Sequence, residues 1–433
     1  MLKRYTRDEM GKVWLEKNKF RNWLLVEICV LRARQKMEEL PFETISLDLI
    51  EKVCIDPEEI NRIEEQSTGH DMVAFLLHVS PQLPEELRPW LHRGLTSYDV
   101  EDTALSLQLR DSLQILFGTL VRLMGAVREV AMKYKYVPEV GRTHGIHAEP
   151  ITFGVKCANW YDELHRHLDR LDKLSFTICV GKMSGAVGMY TLHPKVEELV
   201  CADLGLKPII STQIISRDII AEYMGTLGLV AATIGKIATN LRLLSQTEIR
   251  EVMEPFGVKQ KGSSAMPHKK NPILCERIAG LARIILSNVH VPLENLSTCW
   301  HERSLDNSSN ERVAIVDSSI LLDYIMAKLT GILEKMRVFP ERMMTNLDLT
   351  RGLIFSQDVM MLVAEKSGLP REEAHTLVRD IALRCWENGA DFLKVLLDDE
   401  SIMQFVSEEE LRACFNLHAK LQYTDYIFKR VFG

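Results

Sequence analysis

The chain has 433 residues, 53 Lys plus Arg against 60 Asp plus Glu, a formal net charge of −7 and 46% hydrophobic residues. That length allows two or three domains around a large core, and the acidic balance argues against a dedicated nucleic-acid binder, which carries a basic footprint. Its nine cysteines are scattered and form no Cys-x-x-Cys pair, which speaks against a disulfide framework or a structural zinc and for a reducing compartment.

In chain order, Lys3, Arg4 and Arg7 are followed at once by Asp8 and Glu9, so neither a signal peptide nor a transit peptide is expected. No uncharged apolar run reaches the ~18 residues of a membrane span, and the expectation is a soluble cytoplasmic protein. Pro81, Pro84 and Pro89 cluster before the first long periodic segment and mark a first boundary.

Apolar residues then recur every three or four positions over residues 102–136 (Leu105, Leu109, Leu113, Leu116, Leu120, Leu123, Val127, Val130). The same spacing holds over 151–179 (Phe153, Cys157, Trp160, Leu164, Leu168, Leu171, Leu174) and over 219–252 (Ile220, Tyr223, Leu227, Val230, Ile234, Ile237, Leu241, Leu244). A fourth such segment follows Asn271 and a fifth covers 310–336. This period is helical. Helices of about 30 residues are ~45 Å long and suit a bundle. Extra apolar width at Met224, Leu229, Val230 and Ala231 predicts packing on another copy of the chain; a monomer covered by its terminal domains is the alternative.

A second boundary falls near 340–352. The expected organisation is therefore all-α, with an N-terminal helical domain (1–93), a central long-helix bundle (94–340) and a C-terminal helical domain (341–433). The last contains a helix start at Ser407 followed by Glu408, Glu409 and Glu410. Strand signals are sparse; residues 182–191 could form a small ribbon.

Four constellations could carry chemistry. The first, Trp90 to Asp99, places Thr96, Ser97 and Asp99 before a helix; such ends bind carboxylates and phosphates, though plain N-capping uses the same geometry. The second, Gly141 to Pro150, holds His144 and His147 in the turn before the second long helix, either as an acid/base pair, as half a metal site lacking an obvious third ligand, or as structural histidines. The third, 259–272, combines Ser263, Ser264, Gly262, His268 and four lysines, with no acid between Glu254 and Glu276. There, backbone amides and Lys269 could stabilise an oxyanion and an alkoxide; a solvated lysine loop explains the charges but not the Ser-Ser-x-Met-Pro beside them. In the fourth, 300–312, Arg303 and Arg312 with the hydroxyls between them could grip a phosphate or simply salt-bridge a helix start.

Together these motifs resemble the fumarase/aspartase superfamily of fumarate-releasing lyases, and within it the adenylosuccinate lyases of bacterial type. Gly-Ser-Ser-x-Met-Pro-x-Lys-x-Asn-Pro, from Gly262 to Pro272, is the superfamily signature. The adenylosuccinate branch is supported by His268 within it, by Gly-Arg-Thr-His-Gly-Ile-His-Ala-Glu-Pro, by His-x-Gly-Leu-Thr-Ser-x-Asp-Val and by Trp-His-Glu-Arg. The similarity runs from Arg4-Tyr5 to the C-terminal helices.

The resemblance implies a three-domain helical fold whose central bundles join in a homotetramer with active sites shared between subunits. It implies cleavage of adenylosuccinate to AMP and fumarate, and of the succinyl-carboxamide ribotide of purine synthesis, with no metal or organic cofactor and no nucleic-acid or membrane partner. By residue it implies His144 as general acid and Ser263 (or, less readily, Ser264) as general base, with Glu276 holding His144 in its tautomer. Lys269, Asn271, Thr96, Ser97, Thr143 and Gln213 would bind the succinyl carboxylates. Arg4, Tyr5, Arg303, Ser308 and Arg312 would hold phosphate and ribose, with His70, Asp71 and His92 at the nucleotide. Gly69 stands where bacterial relatives often carry a basic residue. Another superfamily lyase, such as an argininosuccinate lyase or a carboxymuconate cycloisomerase, and an inactive helical scaffold are the alternatives.

Overall fold

The protein is seen in a computed structural model, which describes residues 2–40, 45–257 and 265–433. All five predicted long helices form: Ser97–Lys133, Phe153–Ile178, Asp218–Leu244, Ile273–Asn288 and Asp306–Lys335. Their stripes are buried as the spacing requires. Every residue of the third stripe, from Ile220 to Leu244, is buried, and in the first two only Leu105 and Leu168 are partly open. The third helix is also long and apolar enough to cross a membrane by length and composition, but more than half of its most apolar stretch is buried within the protein. Met224, Val230 and Ala231, the residues read as extra apolar width, are absorbed inside the chain; Leu229 alone of that group stays half exposed. Strands among the described residues form three two-stranded ladders, so the fold is all-α.

Two local expectations differ. The third helix stops at Leu244 rather than near 252. The Ser245 amide closes the last turn on Leu241 and Arg242, the polar run Gln246-Thr247-Glu248 offers no apolar position to continue the stripe, and Val252–Met253 pairs antiparallel with Arg337–Val338. The ribbon over 182–191 is absent. Its backbone is claimed by buried side chains instead: Thr103 bonds both the amide and the carbonyl of Lys182, and Glu197 takes the Met183 amide.

The chain divides into two compact units, 1–122 with 166–236 and 278–328, and 123–165 with 237–277 and 329–433. The first unit's core includes the helix Glu16–Lys36 and the helix Asp71–Val79. Phe20, Trp23 and Phe75 pack there with ring centroids 5.1–5.9 Å apart, in the edge-to-face and offset arrangements aromatic quadrupoles favour. The second unit holds a C-terminal cluster from Val359 to Leu411. Ser407 and Glu410 form the reciprocal capping box that the sequence predicts.

Candidate active site

In the first unit the residues expected at a nucleotide gather around the starts of three helices. His70 caps the helix Asp71–Val79: its Nδ1 accepts the Met72 amide at 3.2 Å. In the neutral ring the proton is then on Nε2, which faces the Ser97 hydroxyl at 3.5 Å. Gly69 sits in the left-handed region, φ 59°, which lets the preceding turn end before His70. Asp71 accepts Arg312 at 2.5 Å, and although burial works against its charge, the guanidinium holds its carboxyl below the usual range.

Arg312 also lies 3.9 Å from Glu101. Both line a cavity of about 240 Å³ with Lys19, Trp14, Trp23, Tyr98 and Ser308 among others. Burial, reinforced by the Asp71 charge, pushes the Glu101 carboxyl up to about 8. Burial and the nearby Arg312 lower the Lys19 ammonium. Arg303 stacks over the Tyr98 ring at 3.8 Å and donates to Gln213 at 3.3 Å, while its Nε is buried with no partner among the described residues. The guanidinium is thus held flat on the aromatic ring, with its Nε unpaired among the described residues.

His92 has a left-handed backbone, φ 56°, and is clamped by Glu27, which accepts its amide at 3.0 Å and its Nδ1 at 2.6 Å. Burial opposes charge on this imidazole, but the Glu27 carboxylate prevails and raises its pKa. Asp99 accepts the Thr96 amide at 2.9 Å and the buried Lys182 ammonium at 2.5 Å, so capping falls to Asp99 and leaves the Ser97 hydroxyl toward His70.

Arg4 and Tyr5 lie elsewhere in this unit. Tyr5 packs edge-on against Tyr324 at 5.4 Å, and twelve residues of helix separate Tyr324 from Arg312, roughly 18 Å. One chain therefore does not bring Arg4-Tyr5 to the Arg303–Arg312 cluster.

In the second unit the segment around His144 is a β-hairpin, not the simple turn expected. Pro138–Thr143 pairs antiparallel with Ile146–Thr152. His144 and Gly145, at φ 56° and 81°, supply the two positive-φ residues of a two-residue turn that matches strand twist. A left-handed histidine costs on the order of 1 kcal/mol, so the hairpin below must hold it. A register shift lies between Val140 and Arg142. Gly141 occupies it, where a Cβ would meet the Glu149 carbonyl oxygen at 2.8 Å.

Beneath the turn Arg142 makes two bonds to Glu251, at 3.0 and 2.7 Å, and Asn346 adds a third at 2.7 Å. Glu251 is fully buried. Breaking such a pair by removing one partner costs about 3–5 kcal/mol. Lys156 neutralises the neighbouring buried Glu139. Burial and the charge of Arg142 lower the pKa of His147, whose Nδ1 is buried with no partner among the described residues. His144 and Thr143 are exposed at the tip. Among the described residues no group of three His, Cys, Asp or Glu could hold a metal.

Ser263, with Gly262 and Ser264, lies outside the described residues. The flanks of that loop are anchored: Glu254 accepts the Leu274 and Cys275 amides at 3.1 Å, taking up orphan donors at the start of the helix Ile273–Asn288. Lys269, Asn271 and Glu276 line a cavity of about 1410 Å³ together with Arg242, Arg250 and Arg342. His144 is not among its lining residues, and it shares no hydrogen bond with Glu276 among the described residues; both side chains face solvent.

Sequence reasoning missed Lys19, Tyr98, Glu101, Arg142 and Glu251. Glu101 reads as an ordinary first-turn acid and Glu251 as a loop acid, because their partners are remote in sequence. Arg142 carried a usable signal, a charged residue inside the hairpin motif itself.

This assembly has relatives. A family model described as a lyase matches residues 44–286, and the class is that of the helical lyases. A second model, described as adenylosuccinate lyase C-terminus, matches residues 352–431. The adenylosuccinate lyase of Aquifex aeolicus is 43% identical over 100% of this chain and 99% of its own length. That of Thermotoga maritima is 44% identical over 99% of each. The crystal structure of a fumarate lyase from a Mesorhizobium species superposes with a TM-score of 0.88 at 27% identity, covering 99% of this chain and 98% of that one. The chain belongs to the adenylosuccinate lyase family.

Proposed function

We propose that the protein splits adenylosuccinate into AMP and fumarate, and the succinyl-carboxamide ribotide of purine synthesis in the same way, as a cytoplasmic enzyme. The observation that carries this reading is the end-to-end match, at 43–44% identity, to adenylosuccinate lyases. The Arg303–Gln213 and Arg312–Asp71 pairs support it, since both guanidinium groups belong to the set expected to hold the nucleotide phosphate and ribose.

In this reading Ser263 removes the proton from the succinyl carbon beside a carboxylate. The resulting dianion is stabilised by Lys269, by Asn271 and by loop amides. The C–N bond then breaks and His144 delivers a proton to the departing nitrogen, a step an imidazole can serve near neutral pH. Every bond change is an acid–base or elimination step within the substrate.

We also propose a homotetramer with shared sites, built on the three segments 1–93, 94–340 and 341–433. In one chain His144 is exposed and apart from Glu276 and Lys269, and Arg4-Tyr5 stand apart from Arg312. A site completed by other copies leaves its parts separated in this way.

Incubating the purified protein with adenylosuccinate and resolving nucleotides by chromatography tests the reading. Equal amounts of AMP and fumarate are expected. Turnover of argininosuccinate with adenylosuccinate untouched would assign it to another lyase, and no turnover of either would leave a helical scaffold.

A further inference from the structure

The Arg142–Glu251 pair lies outside every role assigned above, yet it is a buried, two-bond polar link between the His144 hairpin and the rest of its unit. Arg142 is two residues before His144, on the strand that ends at the turn. The register shift at Gly141 sits immediately before it, and such bulges re-aim the next side chain. The guanidinium then meets Glu251 in a two-bond fork of 3.0 and 2.7 Å. Glu251 is itself fixed at three other points. Its side chain accepts Asn346 at 2.7 Å, its amide bonds Leu244 at the end of the third long helix, and its carbonyl accepts the Phe339 amide. One buried residue, through its carboxylate and its backbone, thus ties the hairpin to the third helix and to the segment after the fifth.

The hairpin tip has little else of this kind. Thr143, His144, Gly145 and Ile146 are all exposed, and His147, across from Arg142 in the register, leaves its Nδ1 unbonded among the described residues. A left-handed histidine on an exposed tip is held only as well as the strands beneath it. We propose that Glu251, acting through Arg142, is the positioning residue for His144, setting the height and angle at which the imidazole is presented to the departing nitrogen. This rests on His144 being the general acid. Neither Glu251 nor Arg142 touches substrate in this assignment.

A positioning role and a merely structural one differ in how they combine with loss of the imidazole. The experiment compares single-turnover cleavage of adenylosuccinate by the wild type, Glu251→Gln, His144→Ala and the double variant, with helix content by circular dichroism as the control. Glu251→Gln keeps shape and one hydrogen bond to Arg142 but gives up the charged fork. Misplacing a catalytic group by about 1 Å costs on the order of 100-fold, and that loss in cleavage rate is expected with KM changed far less.

In the His144→Ala background the same substitution is expected to cost less than about 3-fold, since the group it positions is gone. Equal losses in both backgrounds would overturn the proposal and leave Glu251 a general stabiliser. Undiminished cleavage by His144→Ala would instead sink the general-acid assignment and the proposal with it. If Glu251→Gln does not fold, Arg142→Lys provides the same readout, because an ammonium keeps the charge and cannot form the planar fork.

Discussion

Two arginine–carboxylate clusters lie side by side in the first unit, and they use adjacent residues of the same two helices for opposite ends. Asp102 and Glu311 clasp Arg217 in four bonds of 2.9–3.2 Å, with side-chain exposures of 2–8%. Both clusters border the small cavity, but one position away Arg312 is 46% exposed, bonded to Asp71 and 3.9 Å from Glu101. The first cluster is saturated: every guanidinium nitrogen has a carboxylate. The second has a half-open cation, a carboxyl pushed up to about 8 and a second cation, Lys19, beside it. Residue type does not separate a structural salt bridge from a ligand grip. Exposure and saturation do.

That contrast can be broken or sharpened by substitution. Arg217→Met strands two buried carboxylates, and a loss of about 3–5 kcal/mol of stability is expected in urea denaturation; a loss near zero would make the two clusters alike. For His144→Ala and Ser263→Ala, at least ~100-fold lower turnover is expected with helix content unchanged. Arg312→Ala should change stability by under about 1 kcal/mol, as partly exposed pairs do. It should also raise KM for the nucleotide by roughly 10-fold or more, the worth of a charge-assisted bond. A stability loss matching Arg217→Met would remove its ligand role.

A pH-linked effect concerns Glu101. Its folded pKa is raised, so the folded protein holds this proton more tightly than the unfolded chain. The burial penalty is then absent below the ordinary carboxyl range and grows as pH rises toward about 8. Glu101→Gln should therefore gain stability relative to the wild type on going from pH 5 to pH 8, by roughly 3 kcal/mol. A pH-independent difference would show that Glu101 ionises normally.

Most of the scaffold was legible because the helix period is repeated over many turns: a stripe such as Ile220 to Leu244 has one consistent solution. What escaped was short or non-local. The His144 hairpin escapes a sequence reading because Arg-Thr-His-Gly-Ile-His lacks the Asn-Gly or Asp-Gly dipeptide that usually marks such turns. The ribbon over 182–191 failed because Thr103 and Glu197, distant in sequence, claim its backbone. At the site, residues inside compact motifs (Ser97, His144, Lys269, Arg303, Arg312) could be named from sequence. Lys19, Glu101 and Glu251 could not, since their meaning comes only from what the fold places against them.

The most direct measurement is product formation from adenylosuccinate by the wild type and by His144→Ala, followed side by side. Equimolar AMP and fumarate from the wild type, with the variant about 100-fold slower, is the predicted result. An inert wild type, or a variant as fast as the wild type, would contradict it.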